Sequence, residues 1–420
     1  NRRTERKQST KIQQANGELK LFSQRDYKLS INSELENIPN EKLTNFKITD
    51  EILLDKLTPS ERLNNNIEAI SMLKRIEKGE RDLDLSAQKV LSKYVGWGGL
   101  SDVFDERKEG QWKIARNFLK ENLTPTEYKS ARESTITSFY TPKVVIDSIY
   151  QALDNFGFEG GNILEPSSGI GNFIGNIPEK FKNSKVYGVE LDEISGNIAK
   201  KLYPESNIQI KGYEKCNFSD ASFDIAIGNV PFGEYKISDK RYNNHNFLIH
   251  DYFFAKTLDK VKEAGIIAFI TSVGTLDKKD ERIRRYIGKN SEFLGAIRLP
   301  NNTFKVAGTE VTADIIFLKK KTYRESENEN WYKVSADNKG MIYNSYFVDH
   351  PDMILGEMEE VNGRFGKKLT CVPKKDFNFE ENLKIAINKI KGDYNKEKVD
   401  KDFEVINNFP VEVRNFSYIK

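Results

Sequence analysis

Asn229, Val230, Pro231 and Phe232 are the residues of this 420-residue sequence whose types and spacing best support chemistry. They follow the apolar run 223–227, which predicts a buried strand, and ligand sites in open α/β sheets lie beyond the carboxyl ends of strands. The Asn229 amide oxygen and the Val230 backbone carbonyl could accept both hydrogens of an exocyclic nucleobase amine, which would turn the nitrogen lone pair towards an electrophilic methyl group. Pro231 would stiffen the turn, and Phe232 would offer a face on which an extruded base stacks.

A second set of residues has the pattern of a nucleoside-cofactor site. Gly169 and Gly171 come after the first predicted strand of an α/β pattern and let the backbone turn tightly near a ligand. Glu190 ends the next predicted strand, where a carboxylate can accept both ribose hydroxyls. Tyr213 and Glu214 follow the third strand, where an adenine ring would lie, although a plain surface turn is equally consistent with them. The glycine pair alone would also suit a dinucleotide site or an ordinary turn, so the prediction depends on the whole set.

The elements that must position these residues alternate between strand and helix from about residue 138 to 320. This alternation predicts an α/β fold with a doubly wound, mostly parallel sheet, and the last two strands can be antiparallel because no helix is predicted between them. Upstream, Thr58 and Thr124 each begin a capping box with proline at the first helical position, which is typical of helix starts. We predict a flexible lead-in, a helical N-terminal region, a catalytic domain and an accessory region at residues 1–40, 41–130, 131–325 and 326–420. Within the last region, 356–366 predicts a loop and 380–390 a helix.

Composition excludes several classes of protein. The sequence has 66 basic and 63 acidic residues, a net charge of +3, so any basic surface for nucleic acid must be local. Two cysteines and three histidines give neither a disulfide framework nor a zinc-ligand spacing, so we expect no metal and a reducing cytoplasm. No apolar run approaches the roughly 20 residues that span a bilayer, and the charged start is not a secretory signal, so we expect no membrane partner. The sequence does not begin with Met, which suggests a piece of a longer protein.

Three segments together resemble the amino-methyltransferases that modify DNA. Residues 229–232 look like the (Asn/Asp)-Pro-Pro-(Phe/Tyr/Trp) signature, and residues 165–173 resemble the cofactor loop of that family. The segment Ser138-Phe139-Tyr140-Thr141-Pro142 resembles the extra cofactor-binding segment of gamma-order N6-adenine enzymes. More narrowly, 94–100, 229–233 and 250–254 resemble the methylase part of large methylase–helicase proteins of phages, plasmids and conjugative elements. Val230 departs from the signature by replacing its first proline, but its role would be carried by a backbone carbonyl.

The resemblance implies a Rossmann-like class I methyltransferase fold that uses S-adenosylmethionine to methylate the N6 amine of adenine in double-stranded DNA. It also implies a helicase domain in the same full-length protein, in the cytoplasm of a bacterial or phage-infected cell. Tyr140 and Thr141 would bound the methionine end, the loop would hold the amino-acid moiety, Glu190 the ribose, and Tyr213 with Glu214 the adenine. The implied cofactor-binding residues are Tyr140, Thr141, Pro142, Glu165, Pro166, Ser167, Gly169, Gly171, Glu190, Leu191, Tyr213, Glu214 and Asn229, and the catalytic residues are Asn229, Val230, Pro231 and Phe232.

The polar loop 233–247, directly after the catalytic tetrapeptide, is the candidate DNA contact. It could close over a flipped base and contact flanking phosphates, or it could be a solvated loop. The candidate nucleic-acid-binding residues are Lys236, Lys240, Arg241, Tyr242 and Asn244. A basic cluster at 278–289 could also contact phosphates, and Trp97 could either stack on a base or be a buried plug. Target recognition would lie in 326–420 or 41–130.

Three other functions remain compatible with parts of the sequence. A methyltransferase that acts on RNA or on a protein glutamine has the same Asn-Pro-Pro-aromatic signature. A catalytically inactive module could use the same fold to bind DNA or a partner. A nicotinamide dehydrogenase would explain Glu190 but leaves Asn229 and Phe232 without a role.

Overall fold

The described residues of the computed structural model are 43–49, 57–136, 140–305, 310–322, 329–363 and 366–394. The predicted lead-in, 1–40, and Ser138 and Phe139 of the upstream segment lie outside them. The α-helices are α1 Pro59–Glu77, α2 Leu85–Leu91, α3 Gln111–Asn122, α4 Pro125–Glu133, α5 Lys143–Asn155, α6 Asn172–Gly175, α7 Glu193–Leu202, α8 Ile249–Lys260, α9 Gly274–Asp277, α10 Arg282–Asn290, α11 Ser345–Asp349 and α12 Phe379–Lys389. The strands are β1 Asn162–Glu165, β2 Lys185–Glu190, β3 Asn207–Ile210, β4 Phe223–Asn229, β5 Val261–Ser272, β6 Ser291–Leu299, β7 Ala313–Lys320, β8 Val334–Ala336, β9 Ile342–Asn344, β10 Glu357–Gly363 and β11 Gly366–Val372.

A seven-stranded sheet in the order β3-β2-β1-β4-β5-β7-β6 forms the centre of the fold. Strands β1 to β5 pair in parallel, whereas β7 runs antiparallel to both β5 and β6. The strand order reverses at β1, which lies between β2 and β4, and ligands bind at such a switch point. The predicted fold class, a class I methyltransferase sheet with an antiparallel last strand, is confirmed.

Two helices of the helical N-terminal region, α1 and α4, begin where the sequence predicts. The side chains of Thr58 and Thr124 each accept a hydrogen bond from the backbone of the glutamate three residues later, which completes two capping boxes. Trp97 is fully buried, so its indole holds the glycine-rich turn in place and is not available to stack on a base. The predicted boundary between residues 130 and 131 falls within α4, Pro125–Glu133, so this region continues into the next without a break.

One prediction for the C-terminal part, the loop at 356–366, is wrong. Residues 356–366, predicted as a loop, belong largely to an antiparallel hairpin formed by β10 and β11. Most of β10 is exposed, with only Met358 buried, so the strand carries no apolar alternation that could reveal it. The predicted helix at 380–390 is present as α12, which packs against α5.

A buried ion pair fixes the antiparallel edge of the sheet. Arg298 on β6 donates from Nε and Nη2 to both carboxylate oxygens of Asp314 on β7, each at 2.9 Å, and both side chains are fully buried. The Arg298 Nη2 also donates to Asp277 at 2.9 Å. Among the described residues, no helix is both long and apolar enough to cross a membrane.

Candidate active site

The parallel strands bring the predicted catalytic and cofactor residues to one edge of the sheet. Glu165 ends β1, Glu190 ends β2 and Asn229 ends β4, and β1 is hydrogen-bonded to both of the other strands. Because these three strands are parallel neighbours, the residues at their carboxyl ends lie close together. Local sequence patterns set the strands, and the topology then assembles the site.

The amide of Asn229 is restrained at one end and lacks a partner at the other. Its Nδ2 donates to the Thr141 hydroxyl at 3.2 Å, while its buried Oδ1 has no hydrogen-bond partner among the described residues. The backbone N–H of Val230 donates to the Ile270 carbonyl on β5 at 3.0 Å, which anchors the tetrapeptide to the sheet. Buried acceptors normally find a donor, so an unpaired amide oxygen at a strand end is suited to a ligand amine.

A hydrogen bond joins Gly169, in the predicted cofactor loop 165–173, to Glu190 at the end of β2. Gly169 has a φ of 54° and donates its N–H to Glu190 Oε2 at 2.7 Å, and a Cβ there would meet nothing within 4 Å. Glu190 Oε1 accepts the N–H of Asp192, also at 2.7 Å. Burial and the neighbouring Asp192 carboxylate raise the pKa of Glu190 to about 7. Gly171 is required for packing, because a Cβ there would lie 2.4 Å from the ring of Tyr203.

Most of the predicted catalytic and cofactor-binding residues line a cavity of about 490 Å³. This volume lies within the range of small-molecule and cofactor sites. The predicted residues that line it are Tyr140, Pro166, Ser167, Gly169, Glu190, Leu191, Tyr213, Glu214, Asn229, Val230 and Pro231. The predicted residues outside its lining are Thr141, Pro142, Glu165, Gly171 and Phe232.

Thr141 and Glu165 are buried and do not line the cavity. Thr141 is 4% exposed, and its hydroxyl accepts a hydrogen bond from the Asn229 amide, so it lies beside Asn229 and outside the cavity lining. Glu165 is 2% exposed and its Oε2 has no hydrogen-bond partner among the described residues. Burial, with a smaller effect of the Glu190 charge, raises the pKa of Glu165 well above its usual range.

Part of the cavity lining comes from residues that the sequence did not single out as cofactor contacts. Six of them belong to the helical N-terminal region or the short 3₁₀ turn after it: Tyr94, Val95, Gly96, Ser130, Glu133 and Ser134. Asp192 and Lys211 line the same cavity. The glycines around Trp97 were a visible signal of a tight turn, but nothing in their spacing indicated which surface that turn would meet.

The predicted DNA-contact loop divides into exposed and anchored residues. Lys236, Lys240 and Asn244 are exposed. Arg241 pairs with Asp220 at 2.8 Å and with Asp259 at 2.9 Å. Tyr242 is 4% exposed and donates its hydroxyl hydrogen bond to Asp259 at 2.6 Å, which argues against the predicted contact of Tyr242 with DNA.

The basic cluster after β5 is also partly internal. Arg284 is fully buried and donates to the carbonyls of Tyr332, Thr275 and Lys278. Lys278 donates to the buried carboxylate of Asp251, in the first turn of α8, at 2.5 Å. These two cations therefore hold α8, α9 and α10 together, which leaves the exposed members of the cluster as its only candidates for phosphate contact. Within the described ranges, no group of three His, Cys, Asp or Glu side chains is arranged to hold a metal ion.

Comparison with known proteins gives one family match and several similar proteins. The sequence profile of the N-6 DNA Methylase family matches residues 126–344, which is more than half of the chain. The Defense against restriction protein B of Escherichia phage P1 is 30% identical over 236 residues, which are 55% of this chain and 10% of that protein. The Modification methylase CviBIII of Paramecium bursaria Chlorella virus NC1A is 30% identical over 152 residues, 35% of this chain and 40% of the methylase.

Among solved structures, the methyltransferase subunit of a type I restriction-modification system from Streptococcus thermophilus is similar at 15% identity. The similarity covers 77% of this chain and 79% of that one, with a TM-score of 0.36. The chain thus spans less than half the length of the two curated relatives named above.

Proposed function

Since the chain belongs to the N-6 DNA methylase family, we propose that it transfers a methyl group from S-adenosylmethionine to the N6 amine of an adenine extruded from double-stranded DNA. The observation that carries this proposal is the buried Asn229 Oδ1 at the end of β4, which has no hydrogen-bond partner among the described residues and belongs to a residue lining the cavity. An amide oxygen in that position can accept a hydrogen bond from an exocyclic amine.

The cavity residues fit the cofactor. Around Gly169 there is open space where a side chain would otherwise be, so the loop backbone can approach a ligand closely. Glu190 would accept the ribose hydroxyls, Tyr213 would pack on the adenine and Glu214 would accept from its amine, while Tyr140 and Ser167 would hold the methionine half. S-adenosylmethionine, when bound, supplies an electrophilic methyl group on its sulfonium.

The catalytic work of the chain is to hold and activate the substrate amine. Asn229 Oδ1 accepts one N6 hydrogen and the Val230 carbonyl accepts the other, so the nitrogen becomes more tetrahedral and its lone pair points at the methyl carbon. Phe232 stacks on the extruded base, and Pro231 keeps the carbonyl in place. No general base is needed before transfer, because the extra proton on nitrogen leaves to water afterwards. Positioning the two reactants in line supplies much of the rate.

We further propose where the DNA and other partners bind. Lys236, Lys240 and Asn244 would contact phosphates flanking the target, since they are exposed on the loop that follows the catalytic tetrapeptide. Sequence recognition is assigned to the accessory region, described over 329–363 and 366–394. A helicase part of the same full-length protein, and a location in the cytoplasm of a bacterial or phage-infected cell, rest on the resemblance of 94–100 to methylase–helicase proteins.

The test is incubation of the chain with labelled S-adenosylmethionine and unmethylated double-stranded DNA, followed by mass spectrometry of the digested nucleosides. We expect label on N6-methyladenine, and a loss of about 100-fold or more in kcat for Asn229→Ala, by analogy with removal of one positioned polar group elsewhere. Asn388→Ala, which truncates an exposed asparagine on α12, should leave kcat unchanged. Parallel incubations supply RNA or a glutamine-containing protein in place of the DNA. Label on one of these and none on adenine would overturn the proposed substrate, and cofactor binding without any transfer would favour the binding module.

A further inference from the structure

The helical N-terminal region forms one wall of the cofactor cavity. The turn that contains Tyr94, Val95 and Gly96 lines it, as do Ser130 and Glu133 on α4. These residues lie outside the strand-end loops that define the predicted cofactor site. A cavity bounded by both parts of the chain encloses a ligand more fully than the edge of the sheet alone would.

A buried amide holds the wall turn in place. Asn66 on α1 is fully buried and donates from Nδ2 to the Gly96 carbonyl at 2.7 Å, while its Oδ1 accepts the Val95 N–H at 2.9 Å. Arg62, one turn earlier on α1, donates to the Gly98 carbonyl at 3.2 Å. Buried hydrogen bonds of this kind fix backbone position, so the turn is presented to the cavity in one conformation.

A second contact ties α4 to the loop that carries the ribose acceptor. The Ser130 hydroxyl donates to Asp192 Oδ1 at 2.7 Å, and the Asp192 N–H donates to Glu190 Oε1 at 2.7 Å. Asp192 also caps α7, since its Oδ2 accepts from both the backbone and the hydroxyl of Ser195. The wall and the proposed ribose-binding carboxylate of Glu190 are thus connected by two hydrogen bonds through one residue, Asp192, which accepts one with its side chain and donates the other from its backbone.

Glu133 is the charged member of the wall. It forms an ion pair with Lys129 at 3.8 Å, and both side chains are largely exposed, so this pair is weak. S-adenosylmethionine carries a net positive charge near neutral pH, whereas the demethylated product S-adenosylhomocysteine is neutral overall. A carboxylate lining the cavity therefore attracts the cofactor more than the product.

We propose that the helical N-terminal region, together with the end of α4 that extends beyond it to Glu133, is part of the cofactor site and that Glu133 favours binding of the cationic cofactor over the neutral product. The inference rests on the proposed function, because it takes S-adenosylmethionine as the ligand. Its consequence is that α4 assists exchange of product for fresh cofactor after each turnover.

Isothermal titration calorimetry with S-adenosylmethionine and S-adenosylhomocysteine tests the proposal. For Glu133→Gln we expect the Kd for S-adenosylmethionine to rise about three- to fivefold, the size of a partly exposed ion pair, and the Kd for the product to change less than twofold. Glu121→Gln is the matched control, because it removes the same charge from an exposed site on α3 outside the cavity lining, and it should change neither Kd.

The outcomes separate this inference from the proposed function. If wild-type protein binds both ligands and Glu133→Gln binds them as wild type does, or loses affinity for both equally, the role of Glu133 is refuted while cofactor binding stands. If Glu121→Gln weakens cofactor binding as much as Glu133→Gln does, the effect is one of net charge and the proposal fails. If wild-type protein binds neither ligand, the proposed function itself fails.

Discussion

Replacing Thr141 by Val tests whether this residue positions the Asn229 amide, which we propose to be catalytic, or contacts the cofactor. The substitution preserves the branched shape but removes the hydroxyl that lies 3.2 Å from Asn229 Nδ2. The site is 4% exposed, so water cannot readily take the place of the lost partner. A neutral hydrogen bond contributes about 1 kcal/mol, and if that restraint is felt only in the transition state, kcat falls about fivefold. Because Thr141 does not line the cavity, affinity for S-adenosylmethionine should change less than twofold.

The assay is steady-state methylation of unmethylated DNA, combined with calorimetric measurement of cofactor affinity for the same protein samples. Thr141→Ser is the control: it retains the hydroxyl, so its kcat should stay within about twofold of wild type. A Thr141→Val protein with wild-type kcat and weakened cofactor binding would refute the reasoning. That result would restore the role that the family resemblance gives to Thr141, at the methionine end of the cofactor.

Three further predictions follow from charged groups. Burial and the Asp192 carboxylate raise the pKa of Glu190 to about 7, so its carboxyl is largely protonated below that pH. If Glu190 accepts both ribose hydroxyls in its ionised form, as proposed, calorimetry should show cofactor affinity rising about tenfold from pH 6 to pH 8, and little change with pH in Glu190→Gln. Replacing both Lys236 and Lys240 by alanine should weaken DNA binding, measured by fluorescence anisotropy. The slope of log affinity against log salt concentration should become shallower by about 1.8, and an unchanged slope would mean that neither lysine contacts phosphate. Arg298→Met leaves Asp314 buried without its main partner and should cost about 3–5 kcal/mol in urea unfolding, much of which Arg298→Met with Asp314→Leu should recover.

The fold and the strand-end residues could be predicted because their signals are local. Apolar runs ending in turn residues mark β1, β2 and β4, and parallel pairing then brings Glu165, Glu190 and Asn229 together without further information. The hairpin of β10 and β11 could not be predicted in this way, since most of it is exposed and its sequence lacks an alternating apolar pattern. The burial of Tyr242 also could not be predicted, because its hydrogen-bond partner Asp259 lies on α8, at a distance in the sequence that no local pattern reveals.

Long-range contacts explain why the sequence predicted the strand-end residues that line the cavity but missed the helical wall beside them. Asn66 and the backbone at Val95 and Gly96 are joined by hydrogen bonds between residues 29 and 30 positions apart, and Ser130 reaches Asp192 across 62 positions. No local pattern encodes such pairs, because an asparagine on a helix has the same sequence signature whether it faces solvent or a turn. The boundary predicted at 130/131 passes through α4, a helix that lines the cavity. A chain cut there would therefore lose part of the wall together with the hydrogen bond from Ser130 to Asp192, in the loop after β2.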